Sequence, residues 1–556
     1  MALPKLEQLA KSVVQGPSLV TGAQPTKDWM DTPAIIKEGN FAYPAKKEKV
    51  EYLDSQGGLD FPNARIWSPD EDDWKLPENW QEIIIKGLAE RLDKFRSLKI
   101  FMDCCVRCGA CSDKCHFFLG TGDPKNMPVL RAELLRSVYR NEFTLAGKIF
   151  GKMGKLVGSR EMTVGVLKEW FLYSYQCTEC RRCSVFCPYG IDTAEVTMML
   201  RELLHLLGIG INWILEPASN SNRTGNHMGL QPHTFKDNVD FLAEDVETLT
   251  GVKVNHSFNR KGAEVLFVTP SADVFAEPGL YTAMGYLALF EQIGLDYTWS
   301  TYASEGGNFG LFTSNELMKK LNGKIYAEAK RLGVKYIIGG ECGHMWRVLH
   351  QYMDTMNGPA DFMEVPKSPV TGTVFDNAKA TKMIHISEFT ADLIKHGKIK
   401  LDPSRNAGVL PTYHDSCNPA RAMGLMDEPR YILDHVVPKW VEMPENTIRE
   451  QTFCCGSGTG LNTDEIMELR MRAGLPRANA VKHVVDKHDV NMLSCVCAID
   501  RATLTSLMDY WNPGCGVCGI SELVGNALVM DNEKRAMGYG ADGTESELPD
   551  GLRTMV

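Results

Sequence analysis

The chain has 556 residues, a net charge of -10 and hydrophobic residues at 44% of its positions. This length allows two to four domains, and the composition is that of an ordinary globular protein. The negative charge argues against a nucleic-acid partner, because the phosphates would be repelled. No run reaches the roughly 18 to 20 apolar residues that a bilayer crossing needs, and the N-terminus resembles no export signal. We therefore expect a cytoplasmic protein without a membrane span of its own.

The sequence changes character near residue 80. Residues 1–80 are rich in Pro, Lys, Glu and Asp, which predicts an extended arm around a neighbouring domain or partner, or a partly disordered tail. Apolar residues then recur at helical spacing from Ile83 to Leu98, and further helical stretches follow at 129–139, 143–156 and 164–175. We therefore predict a helical domain over residues 81–210.

Two cysteine runs of one form lie in this helical domain, separated by residues 116–176. The runs are Cys105, Cys108, Cys111 and Cys115, and then Cys177, Cys180, Cys183 and Cys187. With this spacing, three thiolates bind one [4Fe-4S] cube and the fourth cysteine reaches the other cube. A disulfide or zinc site needs neither the spacing nor its repetition. The pattern predicts a ferredoxin-type domain with two cubane [4Fe-4S] clusters, and His116 in place of the usual proline removes no ligand.

The rest of the chain alternates between strand and helix patterns. A polar stretch at 217–225 predicts a linker, placed at 211–262. Strands are expected at 265–269, 336–338 and 408–413, and helices at 313–332, 384–396 and 463–488. Such alternation predicts an α/β architecture with a largely parallel sheet. The fold class is thus a helical domain followed by α/β halves at 263–400 and 401–533, with a loose tail at 534–556.

A second cysteine group lies in the C-terminal third. It comprises Cys417, the adjacent pair Cys454 and Cys455, and the closely spaced Cys495 and Cys497. Each site follows a predicted strand, so the thiolates should converge at the carboxyl edge of a parallel sheet. Neighbouring side chains diverge, and the adjacent pair therefore suits an opened, irregular iron-sulfur cluster better than a cube.

These residues carry a family resemblance. The sequences HDSC at 414–417, CCGSGTG at 454–460 and VEMP at 441–444 resemble the CCG domain of heterodisulfide-reductase-type proteins. The resemblance covers roughly residues 90–530 and has the HdrD arrangement of a ferredoxin module before CCG domains. The arm, the gap between the cysteine runs and the sequence around Cys495 are most similar to DsrK subunits of the DsrMKJOP membrane complex.

The resemblance implies a ligand set and a chemistry. In this family the CCG cysteines bind a noncubane [4Fe-4S] cluster that cleaves or forms disulfides, so Cys417, Cys454, Cys455 and Cys495 become the candidate catalytic residues. The family motif ends in Cys-x2-Cys, whereas this chain has Cys495-x-Cys497. Either or both of these cysteines could therefore bind the cluster. A later pair, Cys515 and Cys518, could supply a ligand or a redox-active thiol.

CCG domains often occur in tandem, and residues 263–350 resemble a degenerate first copy. Residues 306–310 stand where the CCG motif would be, and Cys342 and His344 stand where the last cysteines would be. One cysteine cannot hold a cluster. We therefore expect one noncubane cluster, with Cys342 and His344 near a pseudo-twofold interface.

By the same resemblance, the chain is an iron-sulfur thiol-disulfide oxidoreductase subunit of a membrane complex. Its expected partners are a DsrM-like, quinone-linked cytochrome b subunit, other Dsr complex subunits, and a DsrC-like sulfur carrier whose disulfide or trisulfide exchanges the electrons. These partners would attach it peripherally to the inner membrane. The direction of the reaction depends on potentials that the sequence does not disclose.

Two alternatives remain open from the sequence. The substrate could be a small-molecule heterodisulfide of the CoM-S-S-CoB type, or the chain could be a pure electron-transfer subunit of a flavin dehydrogenase. The sequence contains no strand-to-helix G-x-G-x-x-G and no Walker-type Gly-Lys-Ser/Thr run. We therefore expect that the chain itself binds no flavin or nucleotide.

Overall fold

A computed structural model describes residues 63–65, 76–150, 158–376, 382–463 and 466–530. The predicted tail and most of the predicted arm lie outside these described residues. The chain forms two compact units. Of the described residues, the first unit contains those up to Ala218 together with Phe309–Asn315 and Phe453–Asn479, and the second contains those in Ser219–Asn308 and Glu316–Thr452 and those from Ala480 onward.

The first unit is mainly helical. Two short strands, β1 (Asn63–Arg65) and β2 (Ile209–Ile211), pair in parallel. Asp192 caps one helix by accepting from the backbone N–H groups of Ala194 and Glu195, which satisfies donors that a helix start leaves free. The helices are Trp80–Lys94, Arg96–Cys104, His116–Thr121, Pro128–Phe143, Leu145–Phe150, Val164–Ser174, Arg182–Val185 and Thr193–His205, with 3₁₀ turns at Ser112–Lys114 and Pro124–Asn126.

The second unit contains two parallel sheets. The first sheet has the order β4-β3-β5-β6 and the second the order β7-β8-β9. An isolated parallel bridge joins Thr412 of the strand β7 to Val441. Val441 thus lies beside β7 in the way that β4 lies beside β3 in the first sheet. The strands are β3 (Val265–Val268), β4 (Tyr297–Trp299), β5 (Tyr336–Gly339), β6 (Met383–His385), β7 (Pro411–His414), β8 (Met492–Cys495) and β9 (Gly516–Gly519). Within the described residues, the two halves therefore share one strand order.

Helices alternate with these strands, as expected for parallel βαβ connections. Helices of the second unit are Pro232–Thr250, Ala272–Phe275, Glu277–Gln292, Gly343–Arg347, Met353–Asn357, Ile386–Lys395, Glu428–Val436, Ala498–Trp511 and Ile520–Ala527. The unit also has π-helical turns at Val348–Tyr352 and Asn418–Ala422, and 3₁₀ turns at Pro403–Asn406, Glu445–Thr447 and Arg449–Gln451. Four helices extend across the unit boundary along the chain: Asn212–Thr224, Asn308–Leu311, Asn315–Leu332 and Met467–His488.

One apolar core runs through both halves of the second unit. The helices Glu277–Gln292 and Ile520–Ala527 meet at glycines. A Cβ atom on Gly285 would lie 2.0 Å from the carbonyl oxygen of Ser521, and a Cβ on Gly525 would lie 2.7 Å from the Cα of Gly285. Only glycine allows the two backbones to approach this closely.

The region 211–262, predicted to be a linker, is largely helical. The helix Asn212–Thr224 includes Pro217, and Pro232–Thr250 follows. Ile214, Leu215 and Ala218 are buried at helical spacing, while the run of Asn and Ser residues conceals that pattern in the composition. None of the helices in the described ranges combines the length and the apolar character of a membrane span.

Candidate iron-sulfur sites

The two cysteine loops of the first unit have left-handed backbone at the same two positions. Arg107 and Gly109 have φ values of 57° and 77° in the first loop. Glu179 and Arg181 stand at the same places among the cysteines of the second loop, with φ values of 50° and 61°. Left-handed backbone costs a residue with a side chain about 1 to 2 kcal/mol. The repetition of this conformation indicates that both loops are wound to present their thiols in the same way.

The first loop surrounds a cavity of about 420 Å³. Its lining includes Cys105, Cys108 and Cys111 from the first loop and Cys187 from the second. Val106 and Tyr189, which also line it, have 60% and 54% of their surface exposed. This cavity is therefore a three-plus-one cysteine site close to the protein surface.

The second loop surrounds a cavity of about 320 Å³. Its cysteines are Cys177, Cys180 and Cys183, together with Cys115 from the first loop. The Glu179 N–H donates to Cys177 Sγ at 3.3 Å, a type of contact that tunes iron-sulfur sites. Each run thus contributes three cysteines to one cavity and one to the other.

This donor set suits iron-sulfur cubes. Burial raises the pKa of Cys111 to about 12, so a positive partner such as iron is needed to hold its thiolate. A cube binds its cysteines through four separate irons, so its ligands need not converge on one point. Within the described ranges, no three His, Cys, Asp or Glu side chains converge as ligands of a single ion would.

The helix Pro128–Phe143 contributes to both cavities. Val129, Ala132 and Arg136 lie on the first cavity, and Pro128 and Arg131 lie on the second. The helical repeat separates these two sets onto different faces. One helix therefore carries a buried arginine to each cysteine site.

The adjacent cysteines belong to the first unit, where Cys454 lies against the second cysteine loop. Cys454 Sγ is 3.2 Å from Thr178 Oγ1, and His116 Nε2 is 2.9 Å from the same oxygen. His116 Nδ1 is 3.0 Å from the carbonyl oxygen of Ala473. Thr178 thus connects a CCG cysteine with the loop that lines the second cavity.

The glycines after this cysteine pair allow close backbone packing. Gly456 has a φ of 103°, and a Cβ there would lie 2.8 Å from the Gly474 nitrogen. The Gly456 N–H donates to Cys454 Sγ at 3.5 Å. Close approach to the helix Met467–His488 therefore accounts for Gly456 without a phosphate ligand.

The remaining CCG cysteines belong to the second unit. Cys417 follows β7, Cys495 is the last residue of β8, and Cys497 caps the helix Ala498–Trp511. Cys495 and Cys497 are buried. Cys518 lies in β9 within the apolar core, and Cys515 is also buried. Because Cys454 and Cys455 lie in the other unit, the noncubane ligand set remains a prediction.

Cys342 contacts Cys497 within the second unit. The interaction between the two neighbouring thiols raises the pKa of Cys342 and lowers that of Cys497. The Gly343 N–H also donates to Cys497 Sγ at 3.3 Å, and His344 lowers the Cys497 pKa further. The cysteine of the first half thus lies beside a candidate ligand of the second half.

Asp415 organises the chain before the CCG motif. Its two carboxylate oxygens accept from Arg430 Nη1 and Nη2 at 2.8 and 2.7 Å, and the Arg449 N–H donates to it at 2.7 Å. Thr452 Oγ1 donates to the Asp415 carbonyl at 2.9 Å. This places Asp415 in a structural ion pair, which agrees with a role in holding the strand end.

Sequence reasoning missed Thr178, Arg131 and Arg136. Thr178 lies between two cysteines of a run, where its neighbours drew attention to ligation alone. The arginines lie on a helix that carries no cysteine. A search for buried cations at helical spacing beside a cysteine run could have found Arg131 and Arg136, but no local pattern reports the partner of Thr178.

Comparison with known proteins identifies iron-sulfur relatives of the chain. A 4Fe-4S dicluster domain model matches residues 101–191. The Hdr-like menaquinol oxidoreductase iron-sulfur subunit of Archaeoglobus profundus is 51% identical over 522 residues, which cover 90% of this chain and 93% of that protein. A second such subunit, from Archaeoglobus fulgidus, is 51% identical over 475 residues, or 82% of this chain and 85% of its own.

A more distant relative has a named disulfide substrate. The HdrD polypeptide of the dihydromethanophenazine:CoB--CoM heterodisulfide reductase of Methanosarcina mazei is 26% identical over 443 residues, covering 78% of this chain and 95% of that protein. No solved structure matches the chain. The dicluster domain and these similarities define an iron-sulfur oxidoreductase subunit of the HdrD-like class. Within that class, the chain belongs to the family of Hdr-like menaquinol oxidoreductase iron-sulfur subunits.

Proposed function

We propose that this chain is the catalytic iron-sulfur subunit that exchanges electrons between a quinone-linked cytochrome b partner and a disulfide or trisulfide of a DsrC-like sulfur carrier. The observation that carries the proposal is the position of Cys454, which lies 3.2 Å from Thr178 on the second cysteine loop. Electron-carrying cysteines and a CCG cysteine therefore belong to one compact unit.

The two halves of the proposal have separate support. The relatives at 51% identity are named menaquinol oxidoreductase subunits, which supports electron exchange with a quinone-linked membrane partner. The relative at 26% identity is named a heterodisulfide reductase subunit, which supports sulfur chemistry. The assignment to the DsrK type and to a DsrC-like carrier rests on the sequence resemblance.

The proposed cofactors are two cubane [4Fe-4S] clusters and one noncubane [4Fe-4S] cluster. Bound in place, the cubes supply one-electron transfer and the noncubane cluster supplies a sulfur-reactive centre. The cysteines of the two cavities would hold the cubes, and Cys417, Cys454, Cys455 and Cys495, with Cys497 as a further candidate, would hold the third cluster. In the reducing direction, oxidation of one menaquinol releases two electrons and two protons. Reduction of one disulfide to two thiols takes up two electrons and two protons.

A small-molecule heterodisulfide remains the second candidate substrate. The similarity to the heterodisulfide reductase polypeptide covers 95% of its length, so the fold can host such chemistry in a relative. A carrier protein and a small disulfide differ in size and can be compared directly. Turnover with a carrier trisulfide but not with a small heterodisulfide supports the carrier, and the reverse result supports the second candidate.

The proposal is tested by EPR of the oxidised, isolated protein with and without a thiol substrate. We expect a new paramagnetic signal that appears only with thiol, is lost in Cys455→Ser and survives in Cys180→Ser. An iron content of only about eight per chain would leave no iron for a third cluster and would contradict the noncubane site. A protein that carries electrons but never forms a mixed disulfide with the carrier would instead be a pure electron-transfer subunit of a flavin dehydrogenase.

A further inference from the structure

The two buried arginines beside the cysteine cavities are held by different partners. At the first cavity, Arg136 Nη1 donates to Glu133 Oε2 at 3.0 Å, a carboxylate that Arg107 and Arg140 also contact. At the second cavity, Arg131 Nε donates to the Tyr173 carbonyl at 3.1 Å. Its Nη2 donates to Asn126 Oδ1 at 2.8 Å and to the Gln176 carbonyl at 3.1 Å. All three of these acceptors are neutral.

The Arg131 guanidinium is both buried and close to a ligand sulfur. It is 2% exposed, and its Nη1 donates to Cys115 Sγ at 4.0 Å. Water screens a charge in such a position only weakly, so its effect on the site is larger than that of a surface cation. Arg131 therefore places a fixed positive charge on the wall of the second cavity.

Two other cations on the second cavity have carboxylate partners. Arg181 Nε lies 2.8 Å from Asp192, and Lys114 Nζ lies 2.9 Å from Asp113. Arg182 also lines the cavity, and its guanidinium lies 3.8 Å from the centroid of the Phe453 ring. Arg131 combines near-complete burial with a bond to a cysteine sulfur of this cavity.

We propose that Arg131 raises the reduction potential of the cube in the second cavity. An electron would then favour this cube, which lies next to the segment that carries Cys454. Reduction adds a negative charge to the site, and a buried cation stabilises that more negative state. Arg136 lies on the first cavity and does not line the second, so its charge acts mainly on the first cube. This inference rests on the proposed cube assignment, and it identifies Arg131 as a tuning residue rather than a catalytic one.

The test is an EPR-monitored redox titration of the cluster-loaded full chain without any disulfide substrate. Cys108→Ser and Cys180→Ser assign the two cube signals to their cavities. Arg131→Gln removes the charge, and we expect a lower midpoint potential for the second cube with the first unchanged. Arg136→Gln on the same helix is the matched control, which should leave the second cube unchanged.

A second variant keeps the arginine and cancels its charge. Asn126→Asp places a carboxylate at the atom that now lies 2.8 Å from Arg131 Nη2. The Gln176 amide, whose Oε1 accepts from Asn126 at 2.7 Å, can turn end for end and donate to the new carboxylate. We expect Asn126→Asp to lower the midpoint potential of the second cube as well. This variant serves as the test if Arg131→Gln loads iron poorly.

The outcomes separate this inference from the proposed function. If the Arg131→Gln variant has full iron content but the midpoint potential of its second cube is unchanged, the role of Arg131 is overturned. The assignment of the cubes is then unaffected. The role of Arg131 is also overturned if Arg136→Gln shifts the midpoint potential of the second cube as far as Arg131→Gln does. Absence of two cube signals from the unsubstituted protein would overturn the cofactor assignment itself.

Discussion

The sulfur of Cys454 lies 3.2 Å from the hydroxyl oxygen of Thr178, the residue that follows Cys177 of the second cavity. The same oxygen is 2.9 Å from His116 Nε2, so one hydroxyl joins the first cysteine loop, the second loop and the CCG motif. All three groups are buried. The contact makes the CCG cysteine part of the ferredoxin-type unit.

Replacing Thr178 with valine should uncouple these groups while leaving the cubes in place. The change keeps the shape but removes the hydroxyl, leaving His116 Nε2 without that partner at a cost of about 1 to 3 kcal/mol. We expect full cube iron content, a lower melting temperature and an altered thiol-dependent EPR signal. Thr197→Val is a matched control, because its buried hydroxyl donates only to the Thr193 carbonyl within one helix. An unchanged thiol-dependent signal in Thr178→Val would contradict the coupling.

The crossed arrangement of cysteines gives a prediction for each cube. Cys187→Ser should disturb the cube of the first loop, and Cys115→Ser the cube of the second loop, because each lines the opposite cavity. Each variant should lose or convert one cube, a change of up to about four irons per chain. Cys104→Ser is the control, since Cys104 is exposed and does not line either cavity. Loss of the second-loop signal in Cys187→Ser would contradict the arrangement.

The Asp415–Arg430 pair should contribute strongly to the stability of the second unit. Its side chains are 0% and 9% exposed, and the pair is bidentate. Asp415→Asn removes one of the two carboxylates that contact Arg430, the other being Glu442 at 2.6 Å, and should lower the free energy of unfolding by about 1 to 3 kcal/mol. The exposed pair Lys482–Asp486 offers a control, because Asp486→Asn should cost less than about 0.5 kcal/mol. Equal denaturation midpoints for the two variants would refute the prediction.

The cysteine loops show how far local sequence can determine a site. The x2-x2-x3 spacing determines which three cysteines of a run lie in one tight loop and can bind the same cluster. This grouping depends on only a few consecutive residues. The positions of Arg107 and Glu179 show the limit of that reasoning. Neither residue type favours left-handed backbone strongly, so the loop conformation at these positions comes from the packing of the whole unit.

Longer-range features were harder to predict for physical reasons. Cys454 and Thr178 are 276 residues apart in the chain, and no periodicity reports such a pairing. The sequence pattern does not predict the helix Asn212–Thr224, because polar residues dominate its composition and few apolar residues mark its buried face. The strand-helix alternation of the second unit was easier, because buried β3 and β5 are continuous apolar runs.

Glu522 should make the stability of the second unit depend on pH. Burial raises its pKa to about 8, so the folded chain keeps a proton that the unfolded chain releases. Stability should therefore fall as the pH rises from about 5 to about 8. Glu522→Gln keeps an oxygen for the Gly519 N–H, which now donates at 3.1 Å, and removes the titration. We expect the variant to gain stability over the parent as pH rises, measured by urea midpoints. Buried Glu341, whose pKa rises to about 7, should retain part of the slope. A constant difference between variant and parent across this pH range would show that Glu522 ionises alike in both states.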